Sequence, residues 1–284
     1  MVIAFEIYGD NVTLSGFNIS NSGDYGIYIS ANYSNIKENN FYKNNDAIYF
    51  SHYIENHHII IDNNNFINNE KSLNGFFIDN SIINNNIFTS NKNGIYLIDN
   101  NNLNICNNSF HLNDNPLIII EGKNCLIENN IITYNKNIGL GLYSGNSNNI
   151  QKNIISYNQI YGIIFIKVEN SNIFNNIIKN NNEMGIFFDD ENKYNTIENN
   201  NITNFNCITL KNNSNSNYIS NNNIISKGGT EAYFVDSIHN KWIRNYWGES
   251  NTFLKIIFGE IHFFNSKILW LNVDINPAKK PFNI

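Results

Sequence analysis

Residues 94–110 read Gly94-Ile95-Tyr96-Leu97-Ile98-Asp99-Asn100-Asn101-Asn102-Leu103-Asn104-Ile105-Cys106-Asn107-Asn108-Ser109-Phe110. A small residue opens a short apolar strand, a polar turn follows, and the stretch closes on Ile105, Asn108 and Phe110. That apolar-x-x-Asn-x-apolar spacing recurs along the chain. It reads Ile36-Asn39-Phe41, Ile61-Asn64-Phe66, Ile82-Asn85-Ile87, Leu126-Asn129-Ile131 and Ile150-Asn153-Ile155. It continues as Ile173-Asn176-Ile178, Ile197-Asn200-Ile202, Ile219-Asn222-Ile224 and Trp242-Asn245-Trp247. The asparagines lie 25, 21, 23, 21, 24, 23, 24, 22 and 23 residues apart, a period of about 23. An imperfect earlier copy, Leu14-Phe17-Ile19, has Phe in the Asn slot.

Between motifs a small residue introduces an apolar strand, as in Gly26-Ile27-Tyr28-Ile29, Ala47-Ile48-Tyr49-Phe50 and Gly75-Phe76-Phe77-Ile78. Later copies open at Gly139, Gly162, Gly185 and Ala232, with Pro116 and Cys207 in two coils. Each period therefore holds two or three short strands between polar turns. That is too short for a helix pair and too irregular for a coiled coil. It fits one coil of a parallel β-helix.

The stacking explains an unusual composition, in which 68 Asn and 51 Ile fill 119 of 284 positions. Coils stack at the strand spacing of roughly 4.8 Å, so equivalent residues form columns. Apolar columns fill the core. Asn at the corners tolerates the turn and bonds the backbone groups that leave the sheet. Asn39, Asn64, Asn85, Asn108, Asn129, Asn153, Asn176, Asn200, Asn222 and Asn245 are expected to stack into one ladder.

The period stops near Gly248. The sequence divides into a β-helix over residues 1–248 and a capping segment over 249–284, which carries Pro277, Pro281 and the aromatic run Phe263, Phe264, Trp270. A cap at this end would shield an open strand edge. The chain opens almost in mid-coil at Val2-Ile3-Ala4-Phe5, as a truncated piece or a short edge strand would.

A net charge of −6 and a single arginine, Arg244, argue against nucleic acid as a partner. Three cysteines without a C-x-x-C pair make neither a disulfide scaffold nor a zinc site. No apolar run is long enough to span a membrane, and no signal peptide follows Met1.

The Gly-Ile-Tyr-Ile strand followed by Ile-x-x-Asn-x-Phe resembles the right-handed parallel β-helix repeat of carbohydrate-binding and sugar-hydrolase domains and of NosD-like periplasmic copper-binding proteins. The stretch Trp242-Ile243-Arg244-Asn245-Tyr246-Trp247-Gly248 is similar to the closing motif of archaeal and bacterial NosD-like proteins. So is the tail from Trp270-Leu271-Asn272-Val273-Asp274 through Pro277-Ala278 to Pro281-Phe282. The resemblance implies an all-β, single-stranded, pectin-lyase-like solenoid of about eleven coils with a C-terminal cap. It also implies an exported protein: secreted, periplasmic or at the cell surface. Pectate lyases would imply a Ca²⁺ site of clustered carboxylates with a basic residue, and polygalacturonases a Gly-His-Gly and an Arg-x-Lys pair. Neither set is present in the sequence.

Three constellations carry chemistry. Asp99 and Glu121 fall at one position of adjacent coils, which would put them roughly 5 Å apart, with Asp79 one coil earlier and one position off. That spacing suits a retaining glycosidase pair or a Ca²⁺ ion; the plainer reading is two solvated turn carboxylates beside Lys123. His52, His57 and His58 crowd one turn and are the weak candidates for copper, which wants clustered His, Met or Cys. Third, the residue between the two inward-facing apolar residues of each strand points out. These outward positions form a stripe in which Tyr28, Tyr49, Phe77, Tyr96, Phe187 and Phe234 are aromatic. Such a stripe could stack on successive sugar rings, pack against a partner, or merely fill the strands.

The reading that results is a non-catalytic extracytoplasmic β-helix module, NosD-like, that meets a polysaccharide or a cell-surface partner and needs no cofactor. The alternatives are a polysaccharide lyase or glycoside hydrolase, with or without Ca²⁺, and an accessory for copper-centre maturation.

Overall fold

The computed structural model describes residues 2–248, 253–264 and 266–284. Each coil contributes a strand to three sheets in turn. The first sheet runs from Ile3–Ile7 through Tyr25–Ile29 and Asp46–Phe50 up to Ala232–Val235, eleven strands in all. The second runs from Thr13–Ser15 to Lys241–Ile243, also eleven, and the third from Asn18–Ser20 to Asn223–Ser226, ten. Every pairing between coils is parallel, for example Ile95 opposite Leu117, Ile105 opposite Ile127 and Phe110 opposite Ile132. The described residues contain no helix. The fold is the parallel β-solenoid that the period implies.

The corners explain the Asn. Between the second and third sheets one residue per coil sits in the left-handed region, and the next turns inward. The left-handed residue is Glu38, Asn63, Asn85, Asn107, Asn129, Lys152, Asn175, Asn199, Asn221 or Arg244, with φ of 54–59°. Seven of these ten are Asn, the non-glycine residue that best tolerates this conformation. The inward residue is the ladder Asn. The carboxamide oxygen of Asn108 accepts from the backbone N–H of Asn86 at 2.9 Å and from its Nδ2 at 3.0 Å. The Asn108 Nδ2 donates in turn to the Ile83 carbonyl and to Asn130 Oδ1.

This corrects two of the expected ladder positions. Asn85 and Asn129 are the left-handed corner residues, and the ladder passes through Asn86 and Asn130 instead. Both copies contain consecutive asparagines, so the motif fits in two frames one residue apart. The structure chooses the frame that buries Phe88 and Ile132, leaving Ile87 and Ile131 each 47% exposed. A one-residue slip would reverse every side chain of the strand.

The core is one continuous cluster along the axis. Phe41, Phe66, Phe88 and Phe110 stack at centroid distances of 4.7, 4.8 and 4.7 Å, with planes within 6°. Isoleucines continue this column from Ile132 to Ile224. At the C-terminal end Lys255–Phe263 and Ser266–Asp274 form an antiparallel hairpin. Its first strand lies parallel to Ala232–Val235, adding a twelfth level to the first sheet. Its second strand meets the second sheet at Trp242 opposite Asp274. The tail then lies along the third sheet, where Asn223 bonds the backbone of Phe282 through both ends of its carboxamide. The expected boundary at residue 249 lies outside the described residues.

Candidate binding face and carboxylate column

The outer face of the first sheet carries the aromatic residues. Strand pairing places Tyr28, Tyr49, Asn74, Tyr96, Ile118, Gly141, Ile164, Phe187, Thr209 and Tyr233 in one outward column. Two expected members are displaced from it. Phe77 is a left-handed turn residue beyond its strand, at φ 53°. The strand Lys71–Phe76 aligns Ser72, and not Gly75, with the small openers, because Leu73 pairs with Ile48. Gly75 takes a core-facing place at φ 146°, where a Cβ would lie 2.5 Å from the Phe50 carbonyl oxygen. Phe234 is fully buried, and its neighbour Tyr233 faces out, because Ile208 pairs with Ala232.

The face packs on itself as well as on solvent. At its N-terminal end Tyr25 stacks on Tyr49 at 4.6 Å, and Tyr28 lies 6.0 Å from Tyr49. The Tyr28 hydroxyl donates to Ser51 Oγ at 3.0 Å. Further along, Ile138, Ile164 and Phe187 form a buried patch flanked by Ile118, Tyr143, Tyr161, Ile166 and Met184. Burial pushes the Tyr25, Tyr49, Tyr143 and Tyr161 phenols up from their ordinary value. Where the column drops to Thr209, a cavity of about 240 Å³ opens beside Tyr233 and Lys211. The Lys211 ammonium sits 5.7 Å from the Phe187 ring centre.

Asp46 lies on the same face, beside Tyr25 and Lys71 in the register. It is 4% exposed. Asn74 Nδ2 donates to its Oδ2 at 2.7 Å, while its Oδ1 is buried without a hydrogen-bond partner. Burial raises its pKa above the usual carboxylate value, and the Asn74 bond and the Lys71 charge only partly offset this.

The carboxylates occupy the turn after the first sheet. Asp99 and Glu121 share one left-handed position in adjacent coils, at φ 54° and 55°, with Phe77, Ser144, Lys167 and Asp190 in the same column. Asp99 is half-buried and Glu121 exposed. Asp79 stands two positions beyond the column, not one. It pairs with His57, and its Oδ1 accepts from the Asn101 N–H at 2.8 Å. Lys167 and Asp190 form an ion pair at 3.2 Å on the exposed turn.

The three histidines of the 52–58 turn are engaged separately. His52 Nδ1 lies 3.2 Å from the Tyr49 hydroxyl, His57 Nε2 lies 3.2 Å from Glu55, and His58 stacks on Tyr33 at 4.7 Å. Among the described residues no three His, Cys, Asp or Glu side chains converge as a metal site would require.

Two structural columns were missed in the sequence. A second Asn ladder runs through Asn44, Asn69, Asn91, Asn113, Asn135, Asn158, Asn181 and Asn204. A third joins Asn195, Asn217 and Asn240. The second was legible as an Asn five residues after most members of the first. The outward Tyr25, Tyr143 and Tyr161 lie at strand ends, away from the middle position that the repeat marks as outward.

Comparison with known proteins agrees with this architecture. The sequence profile of the family described as "Right handed beta helix region" matches residues 3–124 and 114–251. No curated sequence matches the chain. Among solved structures, the chain is similar to the periplasmic alginate epimerase AlgG, at 16% identity and a TM-score of 0.66, covering 84% of this chain and 66% of that one. It is similar to the Dettilon tailspike protein at 14% identity and a TM-score of 0.59, covering 84% and 59%. It is also similar to the A-module of the Azotobacter vinelandii mannuronan C-5 epimerase AlgE4, at 12% identity and a TM-score of 0.54, covering 85% and 79%. The chain thus spans less than two thirds of the length of the first and second of these. At such identities the likeness is one of fold.

Proposed function

The chain belongs to the right-handed β-helix family, and from that premise we propose that it is a non-catalytic, extracytoplasmic module that holds an extended polysaccharide on the outer face of its first sheet. The observation that carries this reading is the outward column itself. Tyr28, Tyr49, Tyr96 and Tyr233 share one outward column along the axis, in register through the parallel pairing. Aromatic rings stack on the apolar faces of sugars, and a line of them matches a linear chain better than a compact ligand. The phenol hydroxyls of the same face supply polar partners for sugar hydroxyls. Two fold neighbours are polysaccharide epimerases by name, one of alginate and one of mannuronan. An extracytoplasmic, NosD-like placement follows from the same reading together with the closing motif of the sequence.

The second reading is a polysaccharide lyase or hydrolase. It rests on Asp99 and Glu121 sharing one turn position of adjacent coils, whose rise of roughly 4.8 Å is close to the separation a retaining carboxylate pair needs. A copper-accessory role would have to recruit His52, His57 and His58 away from their present contacts.

Retention on a panel of insoluble and soluble polysaccharides, with products assayed in the same tubes, tests the proposal. Retention without products supports it. New reducing ends or unsaturated products, abolished by Asp99→Asn or Glu121→Gln, would replace it with the enzyme reading.

A further inference from the structure

The hairpin brings chemistry to the last coil. Lys255–Phe263 adds to Ala232–Val235, and the Asp236 N–H donates to the Glu260 carbonyl at 2.9 Å. This places His262 against Asp236. The His262 backbone N–H donates to Asp236 Oδ1 at 2.6 Å, and its Nδ1 lies 2.8 Å from Oδ2. A carboxylate can only accept, so Nδ1 carries a proton, while Nε2 lies 3.9 Å from Glu260 Oε2. Burial works against the charged form of Asp236, yet the two His262 donors hold its carboxyl below the usual range. On the hairpin side Glu260 is bonded by the Tyr233 hydroxyl and the Lys267 ammonium.

Beside this dyad lies a cleft of about 330 Å³, bounded by Asp236, His262, Asn212, Asn213 and Asn215 with two isoleucines as its apolar wall. The volume is at the small end of ligand sites, which span about 300–1,000 Å³. Asn215 Oδ1 is used by the Ile238 N–H, and Asn212 Nδ2 by Asp189 Oδ1. The carboxamide of Asn213 has no partner among the described residues. Asn carboxamides, an imidazole and an apolar wall suit a hydroxylated ring, which offers alternating donors and acceptors around an apolar face. The carboxylates of Asp236 and of the adjacent Asp189 disfavour an anion.

We propose that this cleft, built jointly by the last coil and the hairpin, binds a single neutral hexose-sized sugar through His262, Asp236 and Asn213. It is separate from the aromatic column, and does not depend on a polymer lying there.

D-glucose, D-mannose and D-galactose, with D-glucuronate as the charged comparison, are titrated into the full chain while the His262 imidazole resonance is followed by NMR. The resonance is assigned by its loss in His262→Gln. Asn213→Gly keeps the left-handed backbone (φ 64°) while removing the carboxamide. The expected result is a saturable shift with at least one neutral hexose, weakened about fivefold or more by Asn213→Gly and unchanged by the double variant Tyr49→Ala, Tyr96→Ala. No saturable shift with any neutral hexose overturns the proposal. So does glucuronate binding as tightly, or Asn213→Gly binding as the parent does.

Discussion

Asp274 Oδ2 accepts a hydrogen bond from the backbone N–H of Asn245 at 2.8 Å, and with that bond the ladder that begins at Asn39 ends. The same oxygen accepts from Asn245 Nδ2 at 3.2 Å and from the Trp247 indole at 3.1 Å, while Oδ1 accepts from the Arg244 N–H at 3.0 Å. Every earlier level is closed by a carboxamide, whose NH₂ needs an acceptor in the neighbouring coils. At the last level an acceptor-only carboxylate meets the same donors and leaves no NH₂ to satisfy. Asp274 is fully buried, so these bonds are not shared with water.

Removing that carboxylate should therefore loosen the end of the solenoid. Asp274→Ala strands several buried donors at about 1–3 kcal/mol each, and a total loss of about 3–5 kcal/mol is expected. Asp274→Asn should lose less. Hydrogen exchange checks the location: amides of Arg244–Trp247 and Lys255–Phe263 should lose protection while those near Asn108 keep it. Unchanged protection at Arg244–Trp247 would mean that the carboxylate does not hold the hairpin.

Adjacent asparagines should behave very differently. Asn130 accepts from the Asn108 N–H and Nδ2 and donates to the Ile105 carbonyl and to Asn153. Asn130→Ala should cost about 2–4 kcal/mol in urea unfolding. Asn129 is the left-handed corner residue, so Asn129→Gly should be within about 0.5 kcal/mol of the parent. Equal costs at the two sites would contradict the assigned frame.

That pair also shows how much could be read from the sequence. The solenoid was legible because one coil cannot bury its own apolar face, so the period is written in both the Ile and the Asn. The frame was not legible at Asn85 or Asn129, where two asparagines in a row satisfy both the corner and the ladder. Phe77 and Phe234 were misplaced for a related reason. Gly75 and Ala232 look like the small openers of other coils, and only the pairing of Leu73 with Ile48 and of Ile208 with Ala232 shows that they are not. The alignment of Asp99 with Glu121 could be read because both follow their strand openers by five residues. The dyad of His262 with Asp236 could not, since it depends on how a hairpin outside the repeat docks.

Asp46 should make the protein more stable in mild acid than its carboxylate would suggest. Its folded pKa is raised by burial, above the value in the unfolded chain. Such a group contributes its stability below the unfolded pKa and loses it as pH rises through the folded pKa. At neutral pH the charged form is a cost, and Asp46→Asn, which keeps an acceptor for Asn74, should stabilise by about 0.5–1 kcal/mol. The gain should vanish below about pH 4, measured as the difference in Tm between variant and parent across a pH series. A variant less stable than the parent at pH 7 would show that Lys71 compensates the charge in full.

The aromatic column can be separated from aromatic residues in general by a matched control. Tyr134 and Tyr157 stack at 4.8 Å with planes 3° apart, but they occupy the corner between the third and first sheets, 49% and 43% exposed. They are as accessible as any ring of the column and lie off its line. If sugar rings stack along the first sheet, Tyr96→Ala should reduce retention on a bound polysaccharide about five- to tenfold, in keeping with about 1–1.5 kcal/mol for an aromatic contact. Tyr134→Ala should leave it unchanged. Thermal melts of both variants accompany the assay, because Tyr96 is half-buried and its removal should cost about 1–2 kcal/mol of stability. Loss of retention only at temperatures where Tyr96→Ala has begun to unfold would assign the ring to packing, and equal losses at Tyr96 and Tyr134 would move the binding face away from the first sheet.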